Sequence, residues 1–306
     1  MVLWGADRLT DGASELARRM NVPEMVIGLT IVAAGTSAPE LFVSMVSALK
    51  GTPDLAVGNV VGSNIMNTML IVGVTAMVAP MVIARSTVMK DIPFTVVASM
   101  LLFVLIMDSF KSFSLAGNVI GRLDGVALLS GFAAFMYYTF TVARKGAADD
   151  ENKERKPKNV WVSLGYVVIG LACLVIGSNL FVDSASAVAS AMGVSESVIG
   201  LTIVAGGTSL PELATSVVAA RKGQSAMAIG NVIGSNVFNI LLILGITATI
   251  CPMQIEGITL VDLGVMLGSV LMLWGFSFTK LKVERWEGAV LTVGYAVYLC
   301  WLLYTI

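Results

Sequence analysis

The sequence predicts an all-α integral membrane protein of ten transmembrane helices, arranged as two inverted five-helix repeats with the first helix cut short. Three observations predict it: apolar residues laid out in long blocks, a 48-residue stretch that recurs at a constant offset, and a lopsided distribution of lysine and arginine. Of 306 residues, 57% are hydrophobic and only 13% charged, and the mean hydropathy is +0.88. A soluble domain must present a polar exterior, which so few charged residues cannot supply. The apolar residues gather in runs such as 94–107, 126–142, 160–176 and 288–306. About 20 mostly apolar residues cross a bilayer as a helix.

The repeat sets the organisation. Residues 26–73, VIGLTIVAAGTSAPELFVSMVSALKG…AVGNVVGSNIMNTMLIVG, return at 198–245 as VIGLTIVAGGTSLPELATSVVAARKG…AIGNVIGSNVFNILLILG. The offset is 172 without a gap, and 30 of the 48 positions are identical. The same offset pairs Gly5 with Gly177 and Asp11 with Asp183, and a later echo pairs Arg122–Gly125 with Arg285–Gly288. The chain therefore divides into a first half, 1–143, a charge-rich connector, 144–159, and a second half, 160–306. Five spans are expected in each half: roughly 1–18, 24–49, 56–82, 92–108 and 123–143, then 160–191, 196–220, 227–251, 258–279 and 286–305. Gly177 follows about 16 apolar residues whereas Gly5 follows four, so the first span is expected to be shorter than the sixth.

Letting sides alternate at each span sorts the 19 Lys and Arg residues 15 to 3, with Arg8 inside the first span. The rich side takes Arg18, Arg19, Arg85, Lys90, the basic residues of the connector, Arg221, Lys222, Lys280, Lys282 and Arg285, and the poor side Lys50, Lys111 and Arg122. By the positive-inside rule the rich side is cytoplasmic, both termini face outward, and the connector is cytoplasmic. Because each half has an odd number of spans, the second enters the membrane upside down. Inverted repeats are a transporter pattern, with the site near the midplane where the copies meet.

Other chemistry is bounded by what the chain lacks. It has no histidine, which removes imidazole acid–base catalysis and His–metal ligation. Cys173, Cys251 and Cys300 are far apart and show no metal or disulfide spacing, so they read as packing thiols. The first twenty residues mix six charged side chains with apolar ones, unlike a cleavable signal peptide. No enzymatic activity, cofactor, nucleic acid or protein partner is implied; the expected surroundings are a lipid bilayer and small cations.

Two glutamates, Glu40 and Glu212, lie within apolar spans, in GTSAPE and GTSLPE. An ionisable group there is costly and marks a functional site. No basic residue lies in the central part of any span to neutralise them, so a bound cation is the natural counter-charge. Thr36 with Glu40 and Thr208 with Glu212 are four apart, expected on one helix face. Pro39 and Pro211 open the preceding turn and free carbonyl oxygens. In the second motif, Gly58/Gly62 and Gly230/Gly234 read as helix-packing pairs. Ser63 with Asn67, and Ser235 with Asn239, again lie one turn apart. All these groups are hard oxygen donors, suited to sodium, calcium or magnesium.

G-T-S-x-P-E followed by G-N-V-x-G-S-N-x-x-N, in two copies, resembles the alpha repeats of the cation/calcium antiporter family, most closely its sodium/calcium exchangers. The likeness covers essentially the whole chain. It implies ten helices in which spans one and six slide across the other eight. It implies a calcium site of Thr36, Glu40, Thr208 and Glu212. It implies sodium sites that add the Ala33 and Ala205 carbonyls, Ser37, Ser209, Ser63, Ser235, Asn67 and Asn239, and three Na+ exchanged per Ca2+. The residues alone are compatible with competition at one site, because two carboxylates neutralise either one Ca2+ or two Na+. A Ca2+/H+ antiporter of the same fold is the closest alternative, although protons need none of the duplicated hydroxyl and amide ligands. An intramembrane hydrolase would want Arg or His beside its acids, and a channel does not need mobile inverted halves.

Overall fold

The apolar runs fold as helices because backbone polar groups in hydrocarbon must bond within their own segment. The computed structural model describes residues 1–107, 119–146, 160–192, 205–255 and 257–305. Most of the connector (147–159) and the start of the expected seventh span therefore lie outside the described residues. The helices are α1 (Val2–Arg19), α2 (Glu24–Thr36), α3 (Ala38–Leu49), α4 (Pro53–Val78), α5 (Thr87–Ile106), α6 (Arg122–Val142), α7 (Val160–Ala191), α8 (Ala205–Thr208), α9 (Leu210–Arg221), α10 (Ser225–Ile250), α11 (Leu260–Phe278) and α12 (Arg285–Tyr304). Among the described residues, seven are long and apolar enough to cross a membrane, and eight if α2 and α3 count as one. α1 has 18 residues against 32 in α7, and Val2 lies against Gly177 near the middle of α7.

Two expectations are corrected here. The 24–49 span is not one continuous helix: α2 and α3 meet at a 46° bend around Ser37, because Pro39 in the first turn of α3 has no N–H to continue the ladder. Thr36 and Glu40 therefore do not share the face of one unbroken helix. The fourth span starts at Thr87 and not at 92, since a wide π-turn at Thr87–Asp91 leads into it.

The two halves pack alike. α1 crosses α7 with Gly5 against Gly170, so close that a Cβ on Gly5 would stand 2.8 Å from the Gly170 carbonyl. The end of α4 meets the start of α12 at Gly73 and Gly288, and the end of α10 meets α6 at Gly245 and Gly125. Tyr138 donates to Asp91 at 3.0 Å, and Tyr298 donates to Asp262 at 2.7 Å. Two short antiparallel pairings tie the connecting loops: β1 (Met81–Val82) with β4 (Lys282–Val283), and β2 (Val119–Ile120) with β3 (Met253–Gln254). Lys50-Gly51 and Lys222-Gly223 make equivalent turns, with the glycines at φ 77° and 76°, a region where a side chain is strained.

α4 and α10 lie at the centre, with the same share of their apolar window, 78%, buried inside the protein. They carry the second motif. Each contains a π-turn, Met66–Ile71 in α4 and Phe238–Ile243 in α10, a wide turn found frequently at functional sites. Asn67 and Asn239 fall inside those turns.

Candidate ion-binding site

The α2–α3 and α8–α9 breaks bring the two GTSxPE motifs against α4 and α10. Pro39 and Pro211 open α3 and α9, placing Glu40 and Glu212 in the first turn of each. Both carboxylates are buried, at 1% and 0% exposure. Each is held by a serine of the other half. Ser37 donates to Glu212 Oε1 at 2.9 Å, and Ser209 donates to Glu40 Oε1 at 3.0 Å. The Ser63 hydroxyl lies 3.3 Å from that of Ser209, and Ser235 donates to Glu212 Oε1 at 3.4 Å. The Thr36 hydroxyl lies 3.1 Å from the Val32 carbonyl and 3.2 Å from Asn231 Oδ1, which brings it to the second half.

The remaining oxygens identify the chemistry. Glu40 Oε2, Glu212 Oε2, Asn67 Oδ1 and Asn239 Oδ1 are all buried without a hydrogen-bond partner. Leaving such an atom unpaired costs about 1–3 kcal/mol, and more when it is charged. All four are acceptors on the repeated motifs, and a cation would satisfy them together. The donor set, two carboxylates with neutral hydroxyl and amide oxygens, suits Na+ and Ca2+. Among the described residues no three acidic, His or Cys side chains cluster.

Of the expected ligands, Thr36, Ser37, Glu40, Ser63, Asn67, Ser209, Glu212, Ser235 and Asn239 are buried together with Thr208, which is 9% exposed. The Ala33 carbonyl accepts from the Ser37 N–H at 2.9 Å and lies 3.4 Å from the Thr36 hydroxyl, so it is already engaged within its own helix. Ala205 begins α8. Sequence reasoning passed over Asn59 and Asn231. The Asn59 amide donates to the Glu40 carbonyl at 3.3 Å and to Ser44 Oγ at 3.0 Å; Asn231 does the same for Glu212 and Ser216 at 3.4 and 3.0 Å. They fix the backbone beneath each glutamate. The signal was present, since both asparagines recur at the repeat offset.

The two halves differ at their glycines. A Cβ on Gly234 would stand 2.7 Å from Ala33 Cβ and 2.8 Å from the Leu29 carbonyl, and one on Gly230 would stand 2.8 Å from the Met25 carbonyl. The repeat counterparts Gly62 and Gly58 meet nothing within 4 Å and a single atom at 3.6 Å. The expectation that both pairs pack tightly is therefore corrected for Gly58 and Gly62. They face a cavity of about 780 Å³ lined also by Asp54, Met66, Gly206 and Tyr298. Its floor, Gly62 and Met66, flanks Ser63 and Asn67 in sequence. Lys222 shows the same asymmetry. It pairs with Asp7 and Asp11 at 2.7 and 2.8 Å, whereas its counterpart Lys50 forms no ion pair among the described residues.

A bundle of apolar helices around a buried, oxygen-lined, doubly acidic site defines a membrane cation transporter. The chain belongs to the sodium/calcium exchanger protein family, which matches it over residues 1–141 and 162–304. It is 34% identical to the sodium/calcium exchanger MaX1 of Methanosarcina acetivorans, over 98% of this chain and 95% of that protein. It is also 34% identical to the inner membrane protein YrbG of Escherichia coli, over 99% and 93%. Its fold is similar to that of the sodium-calcium exchanger NCX_Mj in a crystal soaked with Na+, with a TM-score of 0.82 and 32% identity over 98% of this chain and 94% of that one.

Proposed function

We propose that this protein exchanges Na+ for Ca2+ across the cell membrane by alternating access to one shared site. The observation that carries the reading is the set of four buried, unpaired oxygens on Glu40, Glu212, Asn67 and Asn239. Thr36, Glu40, Thr208 and Glu212 hold Ca2+. Na+ takes the same carboxylates with Ser37, Ser63, Asn67, Ser209, Ser235, Asn239 and the Ala33 and Ala205 carbonyls. Two carboxylates balance one Ca2+ or two Na+, so the loads alternate, while the empty doubly negative site is too costly to move through the bilayer. A third Na+ makes the cycle electrogenic.

Ten spans in two inverted halves, with both termini outside and 144–159 cytoplasmic, complete the proposal. The strand pairings support it, because β1 and β4 fall on the Lys/Arg-rich side and β2 and β3 on the other. On that placement the cavity beside Gly58 and Gly62 opens outward. The test is radiolabelled calcium uptake into proteoliposomes. An outward Na+ gradient is expected to drive uptake with no pH gradient present. Uptake driven by a pH gradient but not by Na+ would establish proton coupling instead.

Transport is further expected to be independent of potassium. Asn67 and Asn239 are both neutral, so these two positions add no third carboxylate that would call for an extra monovalent cation. Replacing potassium by choline on both sides should leave the rate unchanged. A collapse without potassium would refute this expectation.

A further inference from the structure

The amides of Asn67 and Asn239 each use the nitrogen to donate across the contact between α4 and α10, and each leaves its oxygen unpaired. We propose that Asn64, Asn236 and Thr68 are positioning residues that lock these two amides with their oxygens turned toward the transported cation. The inference rests on the ion-site reading above and deepens it.

An asparagine amide is nearly symmetric in shape, so its partners' chemistry decides which end points where. On one side the chain of constraint starts at Thr68. Its hydroxyl donates to the Asn64 carbonyl at 2.9 Å, an atom that can only accept. With its proton committed there, the Thr68 oxygen accepts from Asn236 Nδ2 at 2.8 Å. That turns Asn236 Oδ1 toward Asn67, 3.1 Å away, where only Nδ2 can satisfy it. The Asn67 oxygen is left unpaired. On the other side Asn64 Nδ2 donates to the Asn236 carbonyl at 3.4 Å, another atom that only accepts. Asn64 Oδ1 then faces Asn239 Nδ2 at 3.1 Å, leaving the Asn239 oxygen free. Both chains end in groups with no choice of role. They differ because Thr68 has Ile240 as its repeat counterpart, a side chain that cannot bond, so Asn64 uses a backbone carbonyl in its place. A flipped amide would put an NH2 where the unpaired oxygen now stands, repelling a cation bound there.

The test is Asn236→Leu and Thr68→Val, with Thr68→Ser as the conservative variant that keeps the hydroxyl. In proteoliposomes, Asn236→Leu and Thr68→Val are expected to raise the apparent KM for Ca2+ about five- to tenfold, with the maximal rate within about twofold of wild type, because the competent amide orientation is populated less. Thr68→Ser should keep the wild-type KM. In detergent, the Ca2+-induced rise in melting temperature should shrink for Asn236→Leu and Thr68→Val but not for Thr68→Ser. A folded Thr68→Val with unchanged KM and unchanged Ca2+ response would overturn the proposal. Asn67→Asp carries an oxygen at both ends, so adding Asn236→Leu to it should raise KM no further. Additive losses in that double-mutant cycle would show that Asn236 acts through packing alone. If wild type showed no Na+-driven uptake, the exchange reading would fail, while the Ca2+-induced melting shift would still decide the clamp.

Discussion

Glu212→Gln and Glu40→Gln are each expected to reduce Na+-driven Ca2+ uptake by at least about 100-fold, with the protein still inserted and folded. Each substitution removes one of the two carboxylate charges found at the site among the described residues, while preserving shape. Losing one partner of a buried charge pair costs about 3–5 kcal/mol, and each 1.4 kcal/mol is tenfold in affinity. The serine donors tolerate the exchange, since the glutamine oxygen can still accept from Ser37 in one variant and from Ser209 in the other. Near-normal uptake by either variant would show that its carboxylate is not a primary ligand. The measurement is initial-rate calcium uptake, normalised to reconstituted protein.

The second large effect separates two glycines that the repeat makes equivalent. Gly234→Val is expected to destabilise the fold by about 3 kcal/mol or more, because its side chain would enter the Leu29–Ala33 backbone already at contact. Gly62→Val meets open space, so it should insert, fold and bind Ca2+ as wild type does. If the halves exchange roles during transport, however, the Gly62 face must close in the opposite state as the Gly234 face closes here. Gly62→Val should then slow exchange at least tenfold or so while leaving Ca2+ binding in place. Normal turnover by Gly62→Val would show that the two glycine faces do not alternate.

Much of this was legible in the sequence, for identifiable reasons. A repeated 48-residue motif with an acid in each copy marks both the architecture and the centre of the site, because a buried carboxylate in an apolar span needs a specific cause. The break at Ser37 was legible only in part. Pro39 announced a disturbance, but a four-residue spacing suggested a shared helix face that the 46° bend removes. The cross-half exchange of Ser37 and Ser209 was hidden, since spacing along one helix says nothing of which half supplies the partner. Asn64 and Asn236 stood in plain view within the motif. Their unequal partners follow from Thr68 having Ile240 as its repeat counterpart, a difference that matters only once the two helices touch. The unequal surroundings of Gly62 and Gly234 could not be read from residues that are identical, because they arise from what packs against each helix.

The central claim is that Na+ and Ca2+ compete for one site built on Glu40 and Glu212. Equilibrium binding of radiolabelled calcium to the purified protein, titrated against Na+ at constant ionic strength, tests it most directly. Apparent Ca2+ affinity is expected to fall with rising Na+ with a logarithmic slope of about two or more, since two carboxylates need two Na+ to replace one Ca2+. A Ca2+ affinity indifferent to Na+ would contradict the shared site.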